Sequence, residues 1–392
     1  MNQDRHVILV EPWFANFGHM QYNRSFLTVM REAFHGGRIT FACTPEYRTE
    51  LEETQLGRQP IAEWLEARAW QHPNKPVWEF WHRTRWLIDL ARRARDRGIA
   101  PTHLVILGSS GPLLLALFAA KLLSLPGNCK TFAVLHGGNE ILRGWQPRNP
   151  FLRLLSFRTA ITLLPVMGIK VIAAEMFIAE ELRSRFQKQA RAIRCIPMAF
   201  DATEFLTPPV PDAGPLRVLF LGQATPHKGF AEFVRLAEQA RALGDGSMEF
   251  RAAGAVRQDT RSIDQSALAR RAGDSPLARR ELIAELSKAD LVYTWHSEYY
   301  DISSSGILLD CVGLGVPMVG RRSRAIAAIE AKYGACGLFA EDIESLFPAL
   351  AQLGDVDNRR RQIAAWQLNL RQARIDRSAQ VLGPVARQEL ES

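Results

Sequence analysis

A chain of 392 residues with 47% hydrophobic and 23% charged side chains has the make-up of a globular protein of two to three domains, which excludes disordered, collagen-like and disulfide-stapled classes. Its longest uninterrupted apolar run, 113–120, has eight residues, far short of the roughly 20 that cross a bilayer as a helix. A formal net charge of +8 points to anionic partners: nucleic acid, acidic lipid headgroups or phosphorylated small molecules. Five cysteines, Cys43, Cys129, Cys195, Cys311 and Cys336, are scattered and never in a zinc-type spacing, which reads as buried thiols in a reducing compartment. The residues before the first apolar run carry no basic n-region or small-residue cleavage site, so a cytoplasmic location is expected.

In chain order, short β-branched or apolar runs predict strands at 6–10, 39–43, 104–107, 132–135, 171–173 and 192–196. Amphipathic helices are expected between them at 22–34, 112–123 and 175–187. Alternation at this spacing builds parallel βαβ units. Four prolines within 207–215 then forbid helix and ladder pairing and mark a linker over 207–216. Beyond it the alternation restarts, with strands at 218–221, 249–252, 291–294 and 317–319 and helices at 230–243, 279–288 and 307–313. The polar, Arg/Ser-rich segment 260–274 is expected to be a mobile loop. From 343 to 353 and from 359 to 391 the pattern is helical. A helical tail after a finished α/β domain needs an apolar surface to cover, and the nearest belongs to the first domain. The reading is α/β: two doubly wound Rossmann-like domains facing a cleft, 1–206 and 217–365, with a C-terminal helix over 366–392 packing back on the first.

In open α/β sheets ligands collect at the carboxyl ends of strands. The loop from Gly222 to Phe230 follows a strand and opens a helix. Glycine lets a backbone approach a ligand, the helix start supplies N–H groups, and Lys228 adds a point charge. It is not a Walker loop, because Gly-x4-Gly-Lys-Ser/Thr is absent. On residues alone it is a diphosphate cradle or a turn with a solvated lysine. The loop from Trp295 to Gly306 also joins a strand to a helix, and Ser304, Ser305 and Gly306 form either a second anion cradle or an N-cap run.

With both motifs in view, the second half resembles the donor domain of GT-B-fold nucleotide-sugar glycosyltransferases, particularly the retaining family 4 type. That family carries Gly-Arg-x4-Lys-Gly, which Gly222, Lys228 and Gly229 keep. It also carries Glu-x7-Glu running into a Gly-x-Pro-Val stretch, kept from Asp310 to Gly315-Val316-Pro317-Met318-Val319. Gln223 replaces the usual arginine, Ile302 the first glutamate and Asp310 the second. The resemblance implies donor binding by Gly222, Gln223, Lys228, Gly229, Ser304, Ser305, Gly306 and Asp310, with Lys228 and Ser305 on the diphosphate and Asp310 on the ribose. It also implies a UDP- or GDP-sugar as co-substrate, no permanently bound cofactor and no metal. A retaining transfer needs no protein nucleophile if the leaving diphosphate deprotonates the acceptor hydroxyl, so catalysis becomes positioning and charge stabilisation.

In the first half, similar enzymes carry a glycine-rich loop after the first strand and a histidine at a later strand end facing the transferred sugar. Here Gly18, His19 and Asn23 fill the first position as acceptor-binding candidates, although a histidine at a helix start is equally a cap. His136, before Gly137 and Gly138, fills the second and joins Lys228 as a catalytic candidate. Glu11 ends the first strand and is either an acceptor-binding group or the partner of a nearby arginine. Glu175 and Glu298 are further carboxylate candidates.

Six arginines between 83 and 97 and five basic residues with no acid between 141 and 174 interleave with Trp78, Phe80, Trp81, Trp86, Trp145, Phe151, Leu152, Leu154, Leu155 and Phe157. Stretches 78–97 and 141–158 therefore suit either an anionic membrane surface or a core-facing apolar stripe with solvated arginines. Without a nucleic-acid-binding motif, no nucleic-acid partner is expected. The expectation is a cytoplasmic enzyme, peripheral at the inner face of the membrane, that adds a sugar to a cell-surface glycan or lipid-linked oligosaccharide. A nucleotide-sugar epimerase and a non-catalytic nucleotide-sugar or membrane-binding protein are its rivals.

Overall fold

Each run of alternating elements closes into its own parallel sheet. The structure, a computed structural model, describes residues 5–12, 20–53, 63–67, 76–137, 148–199, 213–298 and 301–392. The chain divides into two compact units, Met1–Ala199 with Ser378–Ser392, and Phe200–Arg377. The linker expected at 207–216 lies outside the described residues up to position 212.

The first unit contains β1 (His6–Val10), β2 (Arg38–Cys43), β3 (Glu63–Glu66), β4 (His103–Ile106), β5 (Lys130–Leu135), β6 (Ile169–Ala173) and β7 (Ile193–Cys195). They line up as β3-β2-β1-β4-β5-β6-β7, every neighbouring pair parallel. All five residues of β1 are buried, as a central strand covered on both faces requires. Edge strand β3, Glu-Trp-Leu-Glu, buries only Leu65 and has no apolar run to announce it.

The second unit contains β8 (Leu216–Leu221), β9 (Met248–Ala253), β10 (Leu291–Thr294), β11 (Met318–Arg321) and β12 (Gly337–Ala340). Their order is β12-β11-β10-β8-β9, again all parallel. Its core centres on aromatic rings: Phe220 meets Phe230 at 5.0 Å and Phe233 at 5.5 Å, and Phe233 meets Tyr293 at 5.1 Å. The edge strand β12 is half-buried along its length, which hid it from the hydrophobic pattern.

Segment 260–274, expected to be a mobile loop, is instead fastened to β9. Ala252 and Gly273 donate backbone hydrogen bonds to Arg270 and Gly254 at 2.8 and 2.9 Å, and the Thr260 hydroxyl donates to the Ala224 carbonyl at 2.7 Å. Leu268 and Ala272 join the core. Two small apolar anchors outweigh the polar composition around them.

The helical tail is two helices rather than one from 359 to 391. Val356–Asp376 belongs to the second unit and buries Ile363 and Trp366 in that core, so position 366, where the returning helix was expected to begin, lies inside it. After Ser378 takes an extended conformation, helix Ala379–Glu391 packs on helix Met20–Ala33 of the first unit. Arg5 pairs with the Glu391 carboxylate, the Lys130 amine donates to the Glu391 carbonyl, and Arg194 meets Glu389 at 3.4 Å. The return of the C-terminal helix follows the expected architecture.

Gly383 is the point of closest approach. A Cβ there would come within 2.5 Å of the Glu32 Cβ and 3.2 Å of the Ala33 nitrogen. Gly383→Val is expected to lift the helix and cost about 1–3 kcal/mol, read as a lower thermal midpoint and earlier proteolytic loss of the C-terminal residues. An unchanged midpoint and cleavage pattern would show that the two helices do not need this contact.

Candidate active site

In the second unit, the chain must turn sharply where β8 ends. Gly222 takes φ 95°, and Gly254, at the end of neighbouring β9, sits at φ 139°. Its missing Cβ leaves room for the Gly222 carbonyl. A short helical turn, Pro226–Lys228, then ends at Gly229, whose φ is 67°. A Cβ at Gly229 would lie 2.8 Å from the Trp295 side chain and 2.9 Å from its carbonyl, so only glycine allows this turn to press on the end of β10. Ser297 completes the attachment, its N–H donating to the His227 carbonyl at 2.8 Å.

This turn sends the Lys228 side chain back along the sheet edge. Its Nζ would lie 3.4 Å from a Cβ at Gly222, and Ile307 Cδ1 would lie 3.0 Å from the same point. The amine therefore converges with the start of helix Gly306–Leu314. Desolvation lowers its pKa below the usual lysine value, although the residue as a whole is only half-buried. Neighbouring His296 is buried, and desolvation together with the Lys228 charge pushes its pKa down to about 4. At neutral pH the His296 imidazole is neutral.

Helix Gly306–Leu314 opens at Ser305, whose Oγ accepts from the Leu308 N–H at 3.4 Å. Ser305 is thus an N-cap, with half-buried Ser304 immediately before it. Among the described residues nothing lies within 4 Å of a Cβ built on Gly306, above first-turn N–H groups that lack intrahelical acceptors. Lysine and helix start together can hold two negative charges. Gln223 is exposed at the rim, as is Glu298. Asp310 has both carboxylate oxygens bonded by the Arg279 guanidinium at 2.8 Å and is 4% exposed. Sequence reasoning missed Arg279; a lone arginine opening a helix carries no signal of its distant partner.

In the first unit a second set gathers at the strand ends. Glu11 follows β1 and is 3% exposed. Asn23, fully buried, donates from Nδ2 to Glu11 Oε2 at 2.5 Å and to the Tyr47 hydroxyl at 2.7 Å. Its Oδ1, with the Tyr22 hydroxyl and Ser109 Oγ, is buried without a hydrogen-bond partner among the described residues. Unpaired buried polar atoms at the carboxyl edge of a sheet suit a polyhydroxyl ligand. His136, directly after β5, donates from Nε2 to the Leu107 carbonyl at 3.3 Å and sets its ring edge-on to Tyr22 at 4.3 Å. Glu175 is buried where helix Met176–Arg185 begins and adds negative potential near Tyr22. Gly18 and His19 lie outside the described residues.

Arg83 departs from its expected place in a solvated basic stretch. It is fully buried, donates to the Pro12 carbonyl, and feels the charges of Glu79 and Glu11, while burial brings its pKa down to about 10. Glu79 in turn accepts from the Ser110 hydroxyl at 2.7 Å. This buried network fixes the backbone beside Glu11. Sequence reasoning named Glu11 but neither Arg83, Glu79, Tyr22 nor Tyr47, because contacts across 12 to 71 positions leave no local pattern.

No protein-family model matches the chain, and no curated protein matches it in sequence. Solved structures match nearly end to end. A glycosyltransferase from Rickettsia africae is 12% identical, with 99% of this chain and 98% of that one covered and a TM-score of 0.66. HepE of Anabaena, solved with UDP and glucose, is 12% identical over 98% and 99% of the chains with a TM-score of 0.65. A putative UDP-N-acetylglucosamine 2-epimerase from Listeria monocytogenes is 13% identical over 96% and 93%, with a TM-score of 0.56. At these identities the likeness is one of fold.

Proposed function

We propose, from the premise that the chain has the GT-B fold, that it is a glycosyltransferase moving a sugar from a nucleoside-diphosphate sugar to a glycan or lipid-linked acceptor. The observation that carries this reading is the half-buried Lys228 amine, which reaches past Gly222 towards the start of helix Gly306–Leu314 and whose pKa is lowered by desolvation. A partly desolvated lysine beside a helix N-terminus suits a ligand that supplies the anion. The structure of HepE with UDP and glucose favours UDP as the nucleotide.

In this mechanism the diphosphate lies across Gly222, Gly229 and Gly306, its charge met by Lys228 and the helix N-terminus instead of a divalent metal. Asp310, steadied by Arg279, accepts from the ribose hydroxyls. In the first unit Glu11 and Asn23 hold acceptor hydroxyls and His136 holds the transferred sugar. The departing diphosphate takes the acceptor proton, so the anomeric configuration is retained.

The Listeria structure gives the epimerase reading its support. Incubation with UDP-sugars, with and without glycan or lipid-linked acceptors, separates the two. The transferase releases UDP and glycosylates only when an acceptor is present. Isomerised UDP-sugar formed without acceptor would replace this proposal with the epimerase.

A further inference from the structure

Helix Pro76–Asp96 has two working faces. Inward, Glu79 and Arg83 hold Ser110 and the Pro12 carbonyl beside Glu11. Outward, over the same turns, Trp78 is 56% and Trp81 59% exposed, followed along that face by exposed Arg85 and Arg92. Indole rings this open cost free energy in water unless something covers them.

A second exposed group stands on the other flank of the same scaffold. Ser110 caps helix Gly111–Ser124, and at Gly111 a Cβ would strike the backbone of Leu155, Ser156 and Phe157. The turn leading into that contact leaves Phe151 78% and Leu154 60% exposed, among exposed Arg148, Arg153 and Arg158. Arg85, Arg92, Arg148 and Arg158 make no ion pair among the described residues. Two aromatic and aliphatic clusters, each fringed by cations, thus flank one helix start.

We propose that this face of the first unit docks on an anionic phospholipid bilayer, with Trp78, Trp81, Phe151 and Leu154 entering the interface and the arginines meeting headgroup phosphates. Tryptophan and phenylalanine beside arginine is the chemistry of an interfacial surface, and cations add attraction that salt screens. No described helix is long and apolar enough to cross a membrane, so the contact is at the surface. The inference deepens the transferase reading, resting on it only for the acceptor: a lipid-linked acceptor would meet the enzyme one helical turn from the Glu11 network.

The test is co-sedimentation of the full chain with vesicles of pure phosphatidylglycerol or pure phosphatidylcholine, with UDP binding measured on the same samples. Binding to phosphatidylglycerol, weakened by salt and absent with phosphatidylcholine, is expected. Trp78→Ser/Trp81→Ser and Phe151→Ser/Leu154→Ser should each weaken it about 10-fold or more. Arg85→Gln/Arg148→Gln should weaken it while leaving the apolar residues in place. All these side chains are exposed, so thermal midpoints and UDP binding should not change. No binding to phosphatidylglycerol, or undiminished binding by both apolar variants, would overturn the proposal. So would a wild-type dimer that both variants dissociate without any vesicle binding, which would make the face a protein interface. Loss of UDP binding in the wild type would strike the transferase reading and leave the vesicle result standing.

Discussion

Lys228→Ala is expected to weaken nucleoside-diphosphate binding roughly 10- to 100-fold, because a charge-assisted hydrogen bond to phosphate contributes about 1.5–3 kcal/mol. The same site predicts an opposite effect on stability. In the absence of nucleotide the half-buried ammonium is partly desolvated, which lowers its pKa, so Lys228→Met should stabilise the protein by about 1 kcal/mol, a rise of about 2–4 °C in midpoint. The folded-state pKa is lowered by burial, which fixes the pH dependence. Below that lowered pKa the amine is charged in both states and the destabilisation is complete. As pH rises from there towards the usual 10.5, the folded state sheds its proton while the unfolded state keeps it, and wild-type stability recovers. The gap between variant and wild type should therefore narrow in alkali. Calorimetry with UDP and thermal melts across pH measure both effects. Unaltered UDP affinity in Lys228→Ala would remove the residue from the site.

Arg279→Ala should destabilise the second unit by about 3 kcal/mol, since it removes both 2.8 Å hydrogen bonds from the buried Asp310 carboxylate. The reverse deletion costs less: the Asp310 side chain is 6% exposed but that of Arg279 is 22% exposed, so the guanidinium has more access to water than the carboxylate does. Asp310→Ala is therefore expected to lose about 1–2 kcal/mol. Arg279→Met/Asp310→Leu, which removes both charges, should recover much of the loss. Urea unfolding of the three variants reads the asymmetry directly, and equal losses from the two single changes would contradict it. The ribose role proposed for Asp310 has its own readout. Asp310→Asn keeps the shape and should lower UDP affinity about 10-fold; an unchanged affinity would leave the pair as structure alone.

The motif that survived best from sequence to structure is the one held together by neighbours in the chain. Gly222, Lys228 and Gly229 fall within eight positions, and both glycines take a positive φ, 95° and 67°. Ser305 and Gly306 likewise announced a helix start and form one. Asp310 was legible as a carboxylate on that helix, yet its bond to Arg279 spans 31 positions. Glu11 was left between binding a ligand and pairing with an arginine, and the fold gives it Asn23 as a hydrogen-bond donor and Arg83 as a nearby charge. The basic stretch around residue 83 mixes a buried structural cation with exposed Arg85 and Arg92, a division that composition alone does not make.

The sequence by itself determined the alternation of strands and helices, the two parallel units, the glycine-bearing strand-to-helix loops and the return of the C-terminal helix. These follow from hydrophobic period, glycine and proline, which act within a few residues. Only the tertiary structure decided the edge strands β3 and β12, the fastening of 260–274 to β9 and the break before Ser378. It alone decided which charges are buried in pairs and which aromatic rings face outwards. Those outcomes depend on what a residue meets across the fold, and burial and electrostatic pairing are set by that meeting and not by the neighbours in the chain.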